Sequence, residues 1–266
     1  MSAFETGFWV VFVEELRRIL RSRRFKVLFA VTFFPSLIYL LSPNPIGEGV
    51  EPMLKAFEAM MLDLLPNYWL GIIGQLIAII LMCDLLASEM DRGTIRLLLA
   101  KPLRLSELVA AKFLAGISAL AVLFGIPYAT VWLYNPVVYK TGLDGLWKGL
   151  PDLLLVLGVS VLILALLGAL SMLVSVLISR PLYASLATFG IVFVLQFLFP
   201  QIPYLQNAER YTLSYQTAVL LKAGFERVDL SGFAGVPAHS AAIFLALTVA
   251  MLLPAWAILV RRDFPD

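Results

Sequence analysis

The residues able to do chemistry gather in one short stretch, 88–107: Ser88-Glu89-Met90-Asp91-Arg92-Gly93-Thr94-Ile95-Arg96-Leu97-Leu98-Leu99-Ala100-Lys101-Pro102-Leu103-Arg104-Leu105-Ser106-Glu107. It lies between two long apolar runs, residues 68–87 and 109–134, and carries four basic residues. Nothing here resembles a bond-making constellation; what these side chains offer is charge-assisted docking. Thr94 is placed to cap a short helix that Pro102 stops after about two turns, and Ser106 to cap the helix that follows. On a continuous helical stretch Glu89, Arg92 and Arg96 share one face. Their charges are expected to be exposed there and to register a contact. Leu97 and Leu98 are the candidates for an apolar anchor that fills a groove in another protein. The segment has the character of a handle for a partner.

Elsewhere the usual catalytic groups are missing. His239 is the single histidine and falls near one end of an apolar run, where an interfacial role is ordinary. Cys83 is the single cysteine, so no disulfide framework or CxxC metal site is available. Gly168-Ala169-Leu170-Ser171 lacks the spacing of a nucleophile elbow, and neither HExxH nor a Walker A loop occurs. No catalytic, cofactor-binding or metal-ligating residue is therefore expected in this chain. Gln75 and Gln196 are the polar residues nearest mid-span. They are candidates either for lining a path or for hydrogen-bonding between helices.

The elements that position these residues follow from composition. The chain of 266 residues is 61% hydrophobic and 14% charged, with a mean hydropathy of +0.92. A soluble domain is nearer about 45–50% apolar and about 25% charged, so this is an integral membrane protein. Six apolar segments predict six transmembrane helices, at about 26–42, 68–87, 109–134, 152–178, 183–199 and 238–260. Pro35, Pro127 and Pro254 interrupt three of them, which neighbouring helices can accommodate. Ser179-Arg180-Pro181 is the whole connection between the fourth and fifth. The fold class expected is all-α, a single membrane domain over 1–266.

Residues 4–24 precede the first span. Phe8, Phe12, Leu16 and Ile19 share one helical face, with Glu14, Arg17, Arg18 and Arg21 roughly opposite, which predicts an amphipathic helix lying in the interface. Fourteen of the twenty Lys and Arg fall on one side if both termini are inside: residues 17–26, residues 92–112, Arg180, Arg261 and Arg262. The acidic residues divide evenly. That asymmetry predicts cytoplasmic termini and a cytoplasmic 88–107 segment between spans 2 and 3. On the outer side, residues 43–67 include an amphipathic helix around 52–61. The 200–237 loop holds a helical stretch near 211–225, expected to dip into the outer leaflet or to cap the spans.

Taken with this topology, the chain resembles the permease subunits of type-2 ABC exporters. Their loop between spans 2 and 3 reads approximately as an acidic residue, Gly-Thr, a Leu-rich turn, Pro, a basic residue and a further acidic residue. The matching positions are Glu89, Gly93, Thr94, Leu97, Leu98, Leu99, Pro102, Arg104, Glu107 and Lys112; Asp91-Arg92 before Gly-Thr departs mildly from the pattern. The resemblance implies that 88–107 is a coupling helix, with Glu89, Arg92, Gly93, Thr94, Arg96, Leu97, Leu98, Pro102, Arg104 and Glu107 as its coupling residues. It implies a separate cytoplasmic ABC ATPase that holds ATP and Mg²⁺, a second permease copy or paralogue, and a plasma-membrane location amid lipid, with no role in binding nucleic acid. A non-transport membrane scaffold or anchor, or an ion-coupled secondary carrier, is the alternative. Spans almost free of carboxylates speak against the carrier.

Overall fold

Lipid cannot satisfy backbone N–H and C=O groups, so each apolar run closes its hydrogen bonds within a helix. A computed structural model of the chain describes residues 3–41, 47–91, 105–202 and 208–261. In chain order its helices are α1 (Ala3–Arg21), α2 (Arg23–Leu41), α3 (Val50–Leu64), α4 (Ile72–Asp91), α5 (Leu105–Val138), α6 (Gly142–Leu177), α7 (Pro181–Phe193), α8 (Leu213–Leu221) and α9 (Pro237–Arg261). Among the described residues, six helices are long and apolar enough to cross a membrane: α2, α4, α5, α6, α7 with its continuation to Gln201, and α9. They coincide with the six predicted runs. The largest difference is in α5 and α6, whose 34 and 36 residues extend past the apolar cores at 109–134 and 152–178. No described residue forms a strand, so the protein is all-α.

Helices α4, α5 and α6 form the centre. Their apolar windows are 67%, 61% and 50% buried, against 22%, 17% and 22% for α2, α7 and α9. Small residues let the central helices close. Met82 of α4, fully buried, lies between Gly116 of α5 and Gly168 of α6. A Cβ at Gly116 would stand 2.4 Å from Met82 Sδ, and one at Gly168 2.8 Å from Met82 Cε. Without a hydrophobic drive between helices in lipid, such close contact supplies the packing energy.

The proline in α2 is accommodated from outside that helix. Pro35 has no N–H to offer the carbonyl of Val31, one turn earlier. The Tyr68 hydroxyl donates to that carbonyl instead, at 2.8 Å, and the Trp69 indole N–H donates to Thr32 O at 3.0 Å. Tyr68 and Trp69 belong to a π-helical turn, Leu65–Trp69, that joins α3 to α4. The break after it depends on glycine. A Cβ on Gly74 would lie 1.6 Å from Trp69 O. Gly74→Ala should therefore destabilise the protein by roughly 1–3 kcal/mol or more through overpacking, whereas Gly158→Ala, with nothing within 4 Å of its site, should be silent. Thermal unfolding of the two variants in detergent checks the contrast.

The face opposite the 88–107 segment carries a helical layer. Helix α3 is the predicted amphipathic helix, with Met53, Leu54, Phe57 and Met61 buried. Helix α8 falls in the predicted 211–225 stretch and opens on a Thr212 cap, whose Oγ1 accepts from the Tyr215 N–H at 3.2 Å. Its buried run Thr217–Leu221 packs on α6, α9 and the 65–69 turn, so it caps the spans. Beyond it, Arg227 locks the layer together. Its guanidinium donates to Glu58 of α3 at 2.7 Å and to Glu51 at 3.1 Å, its backbone N–H donates to Glu58 at 2.8 Å, and Asp152 of α6 stands 3.9 Å away. Glu58 is wholly buried.

Candidate functional site

The 88–107 segment is anchored by its two ends. The last turn of α4 carries Glu89, and the third turn of α5 carries Lys112. Against both lies α1, whose Glu15 and Arg18 are one turn apart. Lys112 Nζ donates to Glu89 Oε1 at 2.6 Å and lies 3.3 Å from Glu15 Oε1. Arg18 reaches Glu89 Oε1 at 3.5 Å and also bonds Glu15. Two cations thus face two carboxylates, so the four formal charges cancel. Lys112 is 1% exposed, Glu89 6% and Glu15 7%. Taking these groups out of water is tolerable only because each meets an opposite charge at hydrogen-bond range.

Local structure explains why the chain makes this contact. Phe12, Leu16 and Leu20 pack against the core and Ile19 is buried in it, which presents Glu15 to α5 on the same side. The expected amphipathic stripe therefore docks on the helix bundle. Trp9, Val10 and Val13 are the apolar residues of α1 left outside, at 56%, 66% and 38% exposed. The chain turns from α1 into α2 at Ser22, whose Oγ accepts from the Phe25 N–H at 3.0 Å. Just past that corner Arg24 pairs with Asp84 of α4 at 2.9 Å. Both partners of that pair keep solvent access.

The structure separates the sequence-predicted residues into groups. Glu89 was expected as an exposed charge on a docking face; it is buried in the four-residue cluster, because Lys112 and Arg18 neutralise it there. Glu107 lies in the first turn of α5, half-buried. Arg92, Gly93, Thr94, Arg96, Leu97, Leu98, Pro102 and Arg104 lie outside the described residues, as do the expected short helix and its Pro102 stop. Gln75 is 1% exposed, and its amide donates to the Leu70 carbonyl at 2.8 Å, tying down the break before α4. Gln196 sits half-buried in a π-helical turn, Val194–Leu198, near the C-terminal end of the span that begins with α7.

Sequence reasoning did not find Glu15, Arg18 and Lys112 as one site. The spacing of Glu15 and Arg18 on α1 was visible, but no spacing links them to residues 71 to 97 positions away. Among the described residues no cluster of His, Cys, Asp and Glu is arranged to hold a metal ion. What the arrangement can do is mechanical. It joins the α1 helix rigidly to both helices that emerge from the 92–104 segment.

The family model described as "ABC-2 family transporter protein" matches residues 9–264, nearly the whole chain. A comparison with curated proteins found no match.

Proposed function

The chain belongs to the ABC-2 transporter family, and from that premise we propose that it is the permease subunit of an ATP-driven exporter, coupled through residues 88–107 to a separate cytoplasmic ABC ATPase. The observation that carries this is the charge cluster at the base of that segment, in which buried Glu15, Glu89 and Lys112 are joined by the half-exposed Arg18. A segment that only obeyed the positive-inside rule would not require its two flanking helices to be bolted to α1 by desolvated charges. A segment that receives force would. Closure of the ATPase pushes on 92–104; the cluster passes that displacement to α4, α5 and α1 together, and α4 and α5 are central helices.

In this reading ATP and Mg²⁺ stay on the partner, and the permease performs no hydrolysis. The basic face, with 17–26, 92–112 and both termini, is cytoplasmic in the plasma membrane, and the α3 and α8 layer is external. Two permease subunits, either two copies or this chain with a paralogue, form the pathway. Helix α2, packed on α5, and α7 with its continuation, packed on α4 and α6, leave apolar residues such as Phe34, Leu186 and Leu195 outward, where lipid or the second subunit meets them.

The test is co-purification of the ATPase with variants, normalised to membrane-inserted permease. Leu98→Ala should weaken association by about 2 kcal/mol, the usual cost of truncating an interface anchor. Arg180→Ala, in the connection between α6 and α7, should retain the partner fully. Equal retention by both variants, with normal transport, would reduce 92–104 to a charged turn.

A further inference from the structure

The corner between α1 and α2 opens a cavity of about 370 Å³ whose rim and floor differ in chemistry. Arg18, Ser22, Arg23 and Arg24 form the polar rim; Leu28 and Ile80 are among the apolar residues of the floor. On the other side of the Arg24–Asp84 pair a second cavity, of about 520 Å³, continues over α4 to Leu186 and Phe189 beside α7. The two share Arg24, Ile80, Asp84 and Ser88, so together they make a trough along α4, flanked by α2 and α7.

From this trough we infer a binding site for one anionic phospholipid of the leaflet that borders the basic face. Charge chooses the headgroup. Arg18, Arg24 and Lys112 already have carboxylate partners, in Glu15, Glu89 and Asp84. Arg23 has none within ion-pair distance among the described residues, and Arg17, Arg21 and Lys26 stand exposed beside it. Asp91, which lines the α7 side, is the one further carboxylate lining the trough among the described residues. A phosphodiester seated at Arg23 and Arg24 therefore meets a surplus of positive charge. Basic pockets between transmembrane helices are the usual seat for such headgroups. Depth and wall chemistry choose a lipid over a free phosphate. The rim stands where α2 begins its apolar run, and Ile80, 42% exposed, lies open on the trough floor for an acyl chain. This site is independent of the ATPase coupling proposed above, since it is measured on the permease alone.

The experiment uses the purified full chain in phosphatidylcholine vesicles, in equimolar phosphatidylcholine and phosphatidylglycerol, and in phosphatidylcholine with free glycerol 3-phosphate. Native mass spectrometry counts retained phosphatidylglycerol, and thermal unfolding reports stabilisation. Phosphatidylglycerol alone should be retained and stabilising. Arg23→Gln, at an exposed residue with no ion-pair partner to lose, should weaken retention about fivefold, and Arg23→Gln with Arg24→Gln about thirtyfold. Asp84→Asn breaks the same Arg24 pair but removes a negative charge, so it should retain phosphatidylglycerol as well as the parent or better. The site is overturned if the Arg23→Gln, Arg24→Gln double variant and Asp84→Asn fall alike, if Arg23→Gln changes nothing, or if both lipids stabilise equally. Stabilisation by glycerol 3-phosphate alone would mean a phosphate site and overturn the lipid.

Discussion

Lys112→Met is expected to lower the stability of the protein by about 3–5 kcal/mol, because it leaves two buried carboxylates sharing Arg18. Glu89→Leu should cost a similar amount, since Lys112 would keep only Glu15 beside an Arg18 that also needs it. The double variant Glu89→Leu with Lys112→Met should be milder than either single one. It removes one charge of each sign and leaves the Glu15–Arg18 pair intact. Thermal unfolding in detergent, arranged as a double-mutant cycle, measures the coupling. Additive losses would mean that Glu89 and Lys112 act separately and that the cluster is not a unit. The same geometry makes charge reversal at Glu89 a folding defect rather than a docking one. Glu89→Arg would put a third cation beside Lys112 and Arg18 with only Glu15 to meet them, so it should fail at insertion or folding before any partner is tested.

Arg227→Ala should be the most damaging substitution on the opposite face. It strips Glu58, wholly buried, of both guanidinium contact and charge compensation, and leaves Asp152 close by. Removal of one partner from such a pair costs about 3–5 kcal/mol, because the other charge stays buried and unpaired. The loss should loosen the layer it locks. The natural Cys83 is buried, so a cysteine introduced by Ala218→Cys in α8 is a specific reporter. In the Arg227-containing background that cysteine, at a site 2% exposed, should resist a maleimide, and with Arg227→Ala it should label. Arg227→Lys should fall between, since an ammonium cannot serve Glu51 and Glu58 through a fork. Unchanged labelling and unchanged unfolding would show that α8 is held by its apolar packing alone.

The handle was legible in part. Its place between spans 2 and 3, its basic content and its Gly-Thr and Pro punctuation are local properties, and so they stand in the chain itself. The role of Glu89 was not legible, because exposure is set by what packs against a residue. Three cues three to four residues apart suggested a shared exposed face; Arg18 of α1, 71 residues earlier, meets the first of them. The partner of Gln75 was not legible for a similar reason. A glutamine in an apolar run suggests a polar path, yet a backbone break five residues earlier supplies the carbonyl that it serves.

Sequence alone determined the membrane class, the six apolar crossings, the side that gathers basic charge and the presence of helices at 52–61 and 211–225. These depend on composition and on periodicity within a single helix, and bilayer thickness and backbone hydrogen bonding leave the chain little choice. The tertiary structure alone decided which charges are buried together. Glu15 and Arg18 meet Glu89 and Lys112, Arg227 meets Glu58, and Tyr68 meets the carbonyl that Pro35 orphans. Each of those contacts joins residues that are far apart in the chain, and ion pairing has no period along a sequence; only the packing of helices against one another brings such groups within reach.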